Sequence, residues 1–145
     1  MGSIPDRFPG PAAAQIEGPV TNIQVVVNHE PTANPTWHMV DQRLRQISVD
    51  GNDAVDLICG DDDLPMMVIS GHLRSRYRVC VSTDRGSFVL VDARQPEEDV
   101  DVTFPYHTDQ SCSTRELVGV VMALQAAHCF YDNGTMDATL NWRPA

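Results

Sequence analysis

The 145-residue sequence contains no lysine: all ten of its basic residues are arginine, set against twenty aspartates and glutamates. A formal charge of −10 provides no basic footprint for a nucleic-acid backbone, so direct nucleic-acid binding is not expected. The missing lysine is what a codon-biased, GC-rich genome produces, and it requires no functional explanation. No run of about 18 apolar residues is present to cross a membrane. The N-terminus lacks the basic region and apolar core of a signal peptide, and the expected location is the cytoplasm. Cysteine is sparse, and Cys59, Cys80, Cys112 and Cys129 form no C-x-x-C pair. Their scatter fits free thiols in a reducing compartment better than a zinc site or a disulfide framework. A glycine-rich phosphate loop, G-x-S-x-G and H-E-x-x-H are all missing, which leaves the common phosphate and hydrolase chemistries unsupported.

What is abundant is acid. A large negative charge suits a basic partner protein through steering and complementarity, or it serves solubility alone. Two acidic runs stand out, Asp61-Asp62-Asp63 and Glu97-Glu98-Asp99. Each reads either as a solvated turn or as a surface offered to an arginine- or lysine-rich partner. The first run lacks the D-x-[DN]-x-[DN]-G loop of an EF-hand. The histidines His29, His38, His72, His107 and His128 include no i, i+4 pair, and no metal or cofactor is expected. Ser111-Cys112-Ser113 precedes a helical stretch, with His107 close in sequence, and a cysteine near a helix N-terminus can become a thiolate. No cysteine-protease signature accompanies it, and helix capping already explains Ser113, so no catalytic residue is assigned.

Along the chain, residues 1–19 hold four prolines and three glycines and read as an extended, flexible arm. Residues 20–145 read as one domain. Thr21 to Asn28 is a β-branched strand, ended by His29-Glu30-Pro31. Asn34-Pro35 looks like a helix start, followed by Trp37, Val40, Leu44 and Ile47 at helical spacing. Then comes a run of short strands and turns: Ala54 to Cys59, Pro65 to Ser70, Arg76 to Ser82, Ser87 to Val91 and Val100 to Phe104. Short strands with short turns favour an antiparallel meander. Ser113 and Glu116 match the S-x-x-E capping box of a helix expected over residues 114–131. Leu117, Val120, Val121, Leu124 and Tyr131 form its expected buried stripe. Asn133-Gly134 suits a left-handed C-cap, and Leu140 and Trp142 belong to a final strand. The expected fold class is α+β: a mostly antiparallel sheet of six to seven strands with both helices on one face.

The run Ser113-Thr114-Arg115-Glu116-Leu117, the helix through Ala127 and Phe130, the polar turn and Thr139-Leu140-Asn141-Trp142 resemble the Imm1 family. These are immunity proteins of bacterial polymorphic toxin systems. The resemblance covers residues 113–142, with Ser113, Glu116 and Trp142 as its markers. The sequence departs from the family in its turn, which is Asp132-Asn133-Gly134-Thr135-Met136 where a G-E-R-P-like phrase is common. The resemblance implies a cytoplasmic, non-enzymatic inhibitor that binds a cognate toxin and blocks its active site. Toxins beside this family are often nucleic-acid deaminases, whose substrate grooves tend to be basic. The sequence itself has no H-x-E with a downstream P-C-x-x-C, so it is not the deaminase. The implied contacts are Asp61, Asp62, Asp63, Glu97, Glu98 and Asp99. Two other classes stay open: a small-ligand or Cys/His enzyme using Cys112 and His107, and an oligomeric adaptor that exchanges its N-terminal arm.

Overall fold

Arg76–Thr83 shows why a sheet forms here. In the computed structural model of the chain, Tyr77, Val79 and Val81 are buried, while Arg76, Arg78, Cys80 and Ser82 are half-buried on the opposite face. Successive residues of a strand point to opposite faces, so one face can join a core while the other keeps its charges. The structure describes residues 24–27, 30–47, 54–59, 64–72, 76–103 and 109–145. The proline-rich arm, His29, Asp61 to Asp63 and His107 lie outside the described residues.

Within them, the strands in chain order are β1 (Gln24–Val27), β2 (Glu30–Ala33), β3 (Ala54–Ile58), β4 (Met66–His72), β5 (Arg76–Thr83), β6 (Gly86–Val91), β7 (Asp99–Thr103), β8 (Asp109–Ser113) and β9 (Asn141–Pro144). Helix α1 (Trp37–Arg45) follows β2, and α2 (Val120–Asn133) precedes β9. Seven strands form one antiparallel sheet in the order β9-β6-β5-β4-β3-β1-β2. The α+β class is therefore as expected. Two strands are additional to the sequence reading. Strand β2 pairs with β1 despite Pro31, which a sheet tolerates because β2 is an edge. Strand β8 pairs with β7, which takes β7 out of the main sheet and into a separate hairpin.

Both helices cover one face. Val40 and Leu44 of α1 and Ala123, Ala126, Ala127 and Phe130 of α2 join Leu57, Met67, Ile69 and Val79 in one core. The three alanines let α2 approach closely, and fully burying Phe130 contributes about 1.5–3 kcal/mol. The Tyr131 hydroxyl donates to the Pro35 carbonyl at 2.6 Å, tying the two helices together. The start of α1 differs from expectation. Asn34 adopts a positive φ of 48° and cannot enter the helix, so Thr36 is the cap, accepting from the Met39 amide at 3.2 Å.

The start of α2 is a larger correction. Ser113 caps only a three-residue 3-10 helix, Thr114–Glu116, accepting from the Arg115 amide at 3.2 Å. The chain then extends, and α2 begins at Val120 with Gly119 as an N-cap that supplies no side-chain bond. Ser113 and Glu116 are thus not the capping box of this helix. With the start displaced, the buried stripe moves to Ala123, Ala126, Ala127, Phe130 and Tyr131. Of the stripe expected from the sequence only Tyr131 is buried, and Val121 is 77% exposed. The other end is as expected: Gly134 has φ 70°, and its amide bonds the Phe130 carbonyl at 2.7 Å.

The displacement has a cause in the sheet. Strand β6 pairs with β5 only over Cys80 to Thr83. Further along β5, the vacated side of Tyr77 is taken by Val118, with N–H to O bonds of 2.8 Å in both directions. These backbone bonds hold residues 117–119 extended. The chain thereby crosses from the open sheet face, where the 3-10 helix lies beside Arg78, to the face where α2 packs.

Candidate functional site

Strand register places Arg78, Cys80, Val89 and Arg143 on the sheet face away from the helices, because Cys80 pairs with Val89 and Val89 with Arg143. Glu116 sits between the two arginines. Its Oε1 is 3.4 Å from Arg78, and its Oε2 accepts from Arg143 at 3.0 Å. Arg143 also donates to Glu97 at 2.9 Å, and Arg115 lies 3.7 Å from the same carboxylate. The Arg143 hydrogen bond is the main reason the Glu97 carboxyl stays below its ordinary range. The Thr114 amide bonds the Glu98 carbonyl at 2.8 Å, the Thr114 hydroxyl donates to the Pro96 carbonyl, and the Arg115 Nε donates to the Gln95 carbonyl at 2.8 Å. The cluster therefore works as a clamp that joins residues 95–98, the 3-10 helix and β9. Asp92, buried and bound bidentately by Arg94 at 2.9 and 3.0 Å, fixes the start of that loop.

This bears directly on the residues proposed for partner contact. Glu97 is already engaged by two arginines of its own chain, which lessens what it offers a partner. Glu98 and Asp99 are exposed. Asp61, Asp62 and Asp63 lie outside the described residues. Their flanks, Cys59 and Leu64, sit at the strand ends beside the β5–β6 turn, whereas the loop holding Glu97 to Asp99 leaves the other end of β6. Sequence reading treated the two runs as one kind of surface; the fold ties them to opposite strand ends.

The family-marker residues have structural jobs. Glu116 bridges Arg78 and Arg143. Trp142 packs against the core and donates from Nε1 to the Asp137 carbonyl at 3.0 Å. The Asp137 carboxylate binds the Thr139 amide and hydroxyl at 2.9 and 2.7 Å and receives Gln125 of α2 at 3.2 Å. These bonds hold the carboxyl of Asp137 below its ordinary value.

The sulfur sites do not have the look of a nucleophile. Cys112 is buried in β8, and burial, followed by the Glu116 charge, pushes its thiol pKa up. Cys80, which accepts from Arg78 at 2.7 Å, is likewise raised by burial, and Cys59 is pushed up to about 11. An activated cysteine needs the opposite shift. His128 stacks on Trp37, with ring centroids 4.3 Å apart, and is 3.4 Å from Asp132. Among the described residues, no three His, Cys, Asp or Glu side chains gather closely enough to hold a metal ion.

One concave feature is invisible in the sequence. A groove of about 630 Å³ is lined by Leu64 and Pro65, by Val81, Thr83 and Asp84, and by Gly134, Thr135 and Met136. These come from the entry to β4, the end of β5 and the segment after α2, three stretches far apart in the chain. No protein-family model matches the sequence, and no curated protein matches it.

Proposed function

We propose that the chain is a non-enzymatic immunity protein of the Imm1 type, acting in the cytoplasm by binding a cognate toxin and occluding its active site. The observation that carries this reading is the charge of −10 on 145 residues. Such a surface attracts a basic partner and raises its association rate, while repelling nucleic acid itself. The described residues agree with a binding role. The two buried thiols have raised pKa values, no metal cluster is found among these residues, and the stretch that resembles the family is committed to holding the fold together. A toxin that grips DNA or RNA through a basic groove is the kind of partner this charge fits.

The test is co-expression with the toxin domain encoded beside this chain. The expected result is a stoichiometric complex on gel filtration, restored growth, and loss of toxin activity on its nucleic-acid substrate. The association rate should fall steeply as salt rises toward a Debye length of about 8 Å at physiological ionic strength. A toxin that remains fully active in excess of this chain overturns the proposal.

A further inference from the structure

The groove at the end of α2 has an electrostatic character that its apolar walls conceal. Leu64, at 42% exposure, is one of the few large apolar side chains that the described surface presents, and Pro65 and Met136 continue its wall. The wall carries a single charge, the exposed Asp84 of the β5–β6 turn, and no arginine. A second source of negative potential is the end of α2. The carbonyls of a helix's last turn carry a partial negative charge, usually offset by a basic residue in that turn. The last turn of α2 contains no basic residue and includes Asp132, and its C-cap Gly134 forms part of the groove. Asp61 to Asp63 precede Leu64 in the sequence, so covalent reach alone keeps their charge within about 11 Å of it.

The geometry points to a docking site for a cationic side chain, arginine or lysine, presented by a partner protein on a segment with apolar neighbours. The aliphatic stem lies along Leu64, Pro65 and Met136, since such stems pack on apolar surface while the head stays polar. The charged head meets Asp84 and the end of α2. The volume falls within the range of pockets that hold a ligand-sized group, of about 300–1,000 Å³. The inference goes beyond the immunity reading by naming a surface for it. Neither of the two acidic runs proposed from sequence is itself part of this wall.

The experiment uses the full chain, 15N-labelled, titrated with the peptide Ac-Leu-Arg-Leu-Arg-Leu-amide and with its glutamate counterpart, Ac-Leu-Glu-Leu-Glu-Leu-amide. The expected result is saturable amide shifts confined to Leu64, Val81 to Asp84 and Gly134 to Met136, with the arginine peptide alone. Asp84→Asn and Leu64→Ser should each weaken binding by at least about fivefold, as loss of a charge-assisted or apolar contact does. Both positions are exposed, and unchanged spectra elsewhere report an intact fold. Shifts that map to another face, equal binding of the glutamate peptide, or unaltered affinity in both variants overturn the inference. Because no toxin enters this titration, its failure leaves the immunity reading intact. Conversely, failure of toxin neutralisation leaves a positive titration standing.

Discussion

Removing the Glu116 carboxylate should be far more damaging than its position near the surface suggests. Its side chain is only 16% exposed, and it serves Arg78, 22% exposed, and Arg143, 34% exposed. A freely exposed ion pair is worth about 0–1 kcal/mol, and breaking a fully buried one costs about 3–5 kcal/mol. Glu116 lies between these limits, and its bonds to charged partners are worth about 1.5–3 kcal/mol. Glu116→Ala leaves two guanidinium groups partly desolvated without this acceptor, so about 2 kcal/mol is expected. With a urea m-value of about 2 kcal/mol/M, the unfolding midpoint should drop by about 1 M with no change of slope. A cycle with Arg143→Ala separates the pair from Arg143's other contact at Glu97, and a coupling of about 1 kcal/mol is expected. A midpoint shift under about 0.3 M, the size of a solvated pair, would refute the view that this cluster clamps the loop, the 3-10 helix and β9.

Three further outcomes are expected. Phe130→Ala should cost about 3–5 kcal/mol, while Val121→Ala, on the same helix, should stay within about 0.5 kcal/mol; equal effects in urea unfolding would contradict the observed helix face. Gly134→Ala should cost about 1 kcal/mol, because φ 70° is strained for any residue with a Cβ; an unchanged thermal midpoint would contradict the left-handed cap. Asp92 is depressed below its ordinary value of 3.8, chiefly by the Arg94 hydrogen bond. Its contribution is therefore complete above the unfolded value and is lost as pH falls through the lower, native value. Asp92→Asn should flatten stability against pH in that acid window, and an unaltered acid limb would exclude the Asp92–Arg94 pair as its source.

The strands that could be read from sequence were those whose alternation is enforced by a one-sided core. Tyr77, Val79 and Val81 against Arg76, Arg78 and Cys80 leave little choice of face, and Thr83 to Gly86 makes a turn by composition. The C-cap at Gly134 was legible for a similarly local reason. The start of α2 was not, because the decision there is made by a distant strand. Ser113 and Glu116 satisfy the capping pattern, but Glu116 is claimed by Arg78 and Arg143, and Val118 is claimed by Tyr77. Strand β2 was missed because Pro31 reads as a breaker unless the strand is known to lie at an edge. As for the site, Glu97 looked free in sequence, since nothing local reveals that Arg143 reaches it across 46 positions. The groove had no sequence signal at all, being assembled from three segments.

The bridge between Tyr77 and Val118 also bears on solubility. Strand β5 is interior to the sheet, yet along Tyr77 its protection on one side comes from a single crossing residue rather than a full neighbouring strand. If residues 117–119 pull away, the Tyr77 amide and carbonyl are bared and an inner strand acquires a stretch of open edge. Unpaired backbone beside a buried apolar row is a template for pairing with another chain. The crossing therefore acts as a plug against self-association, and partial unfolding that starts there would be expected to end in aggregates.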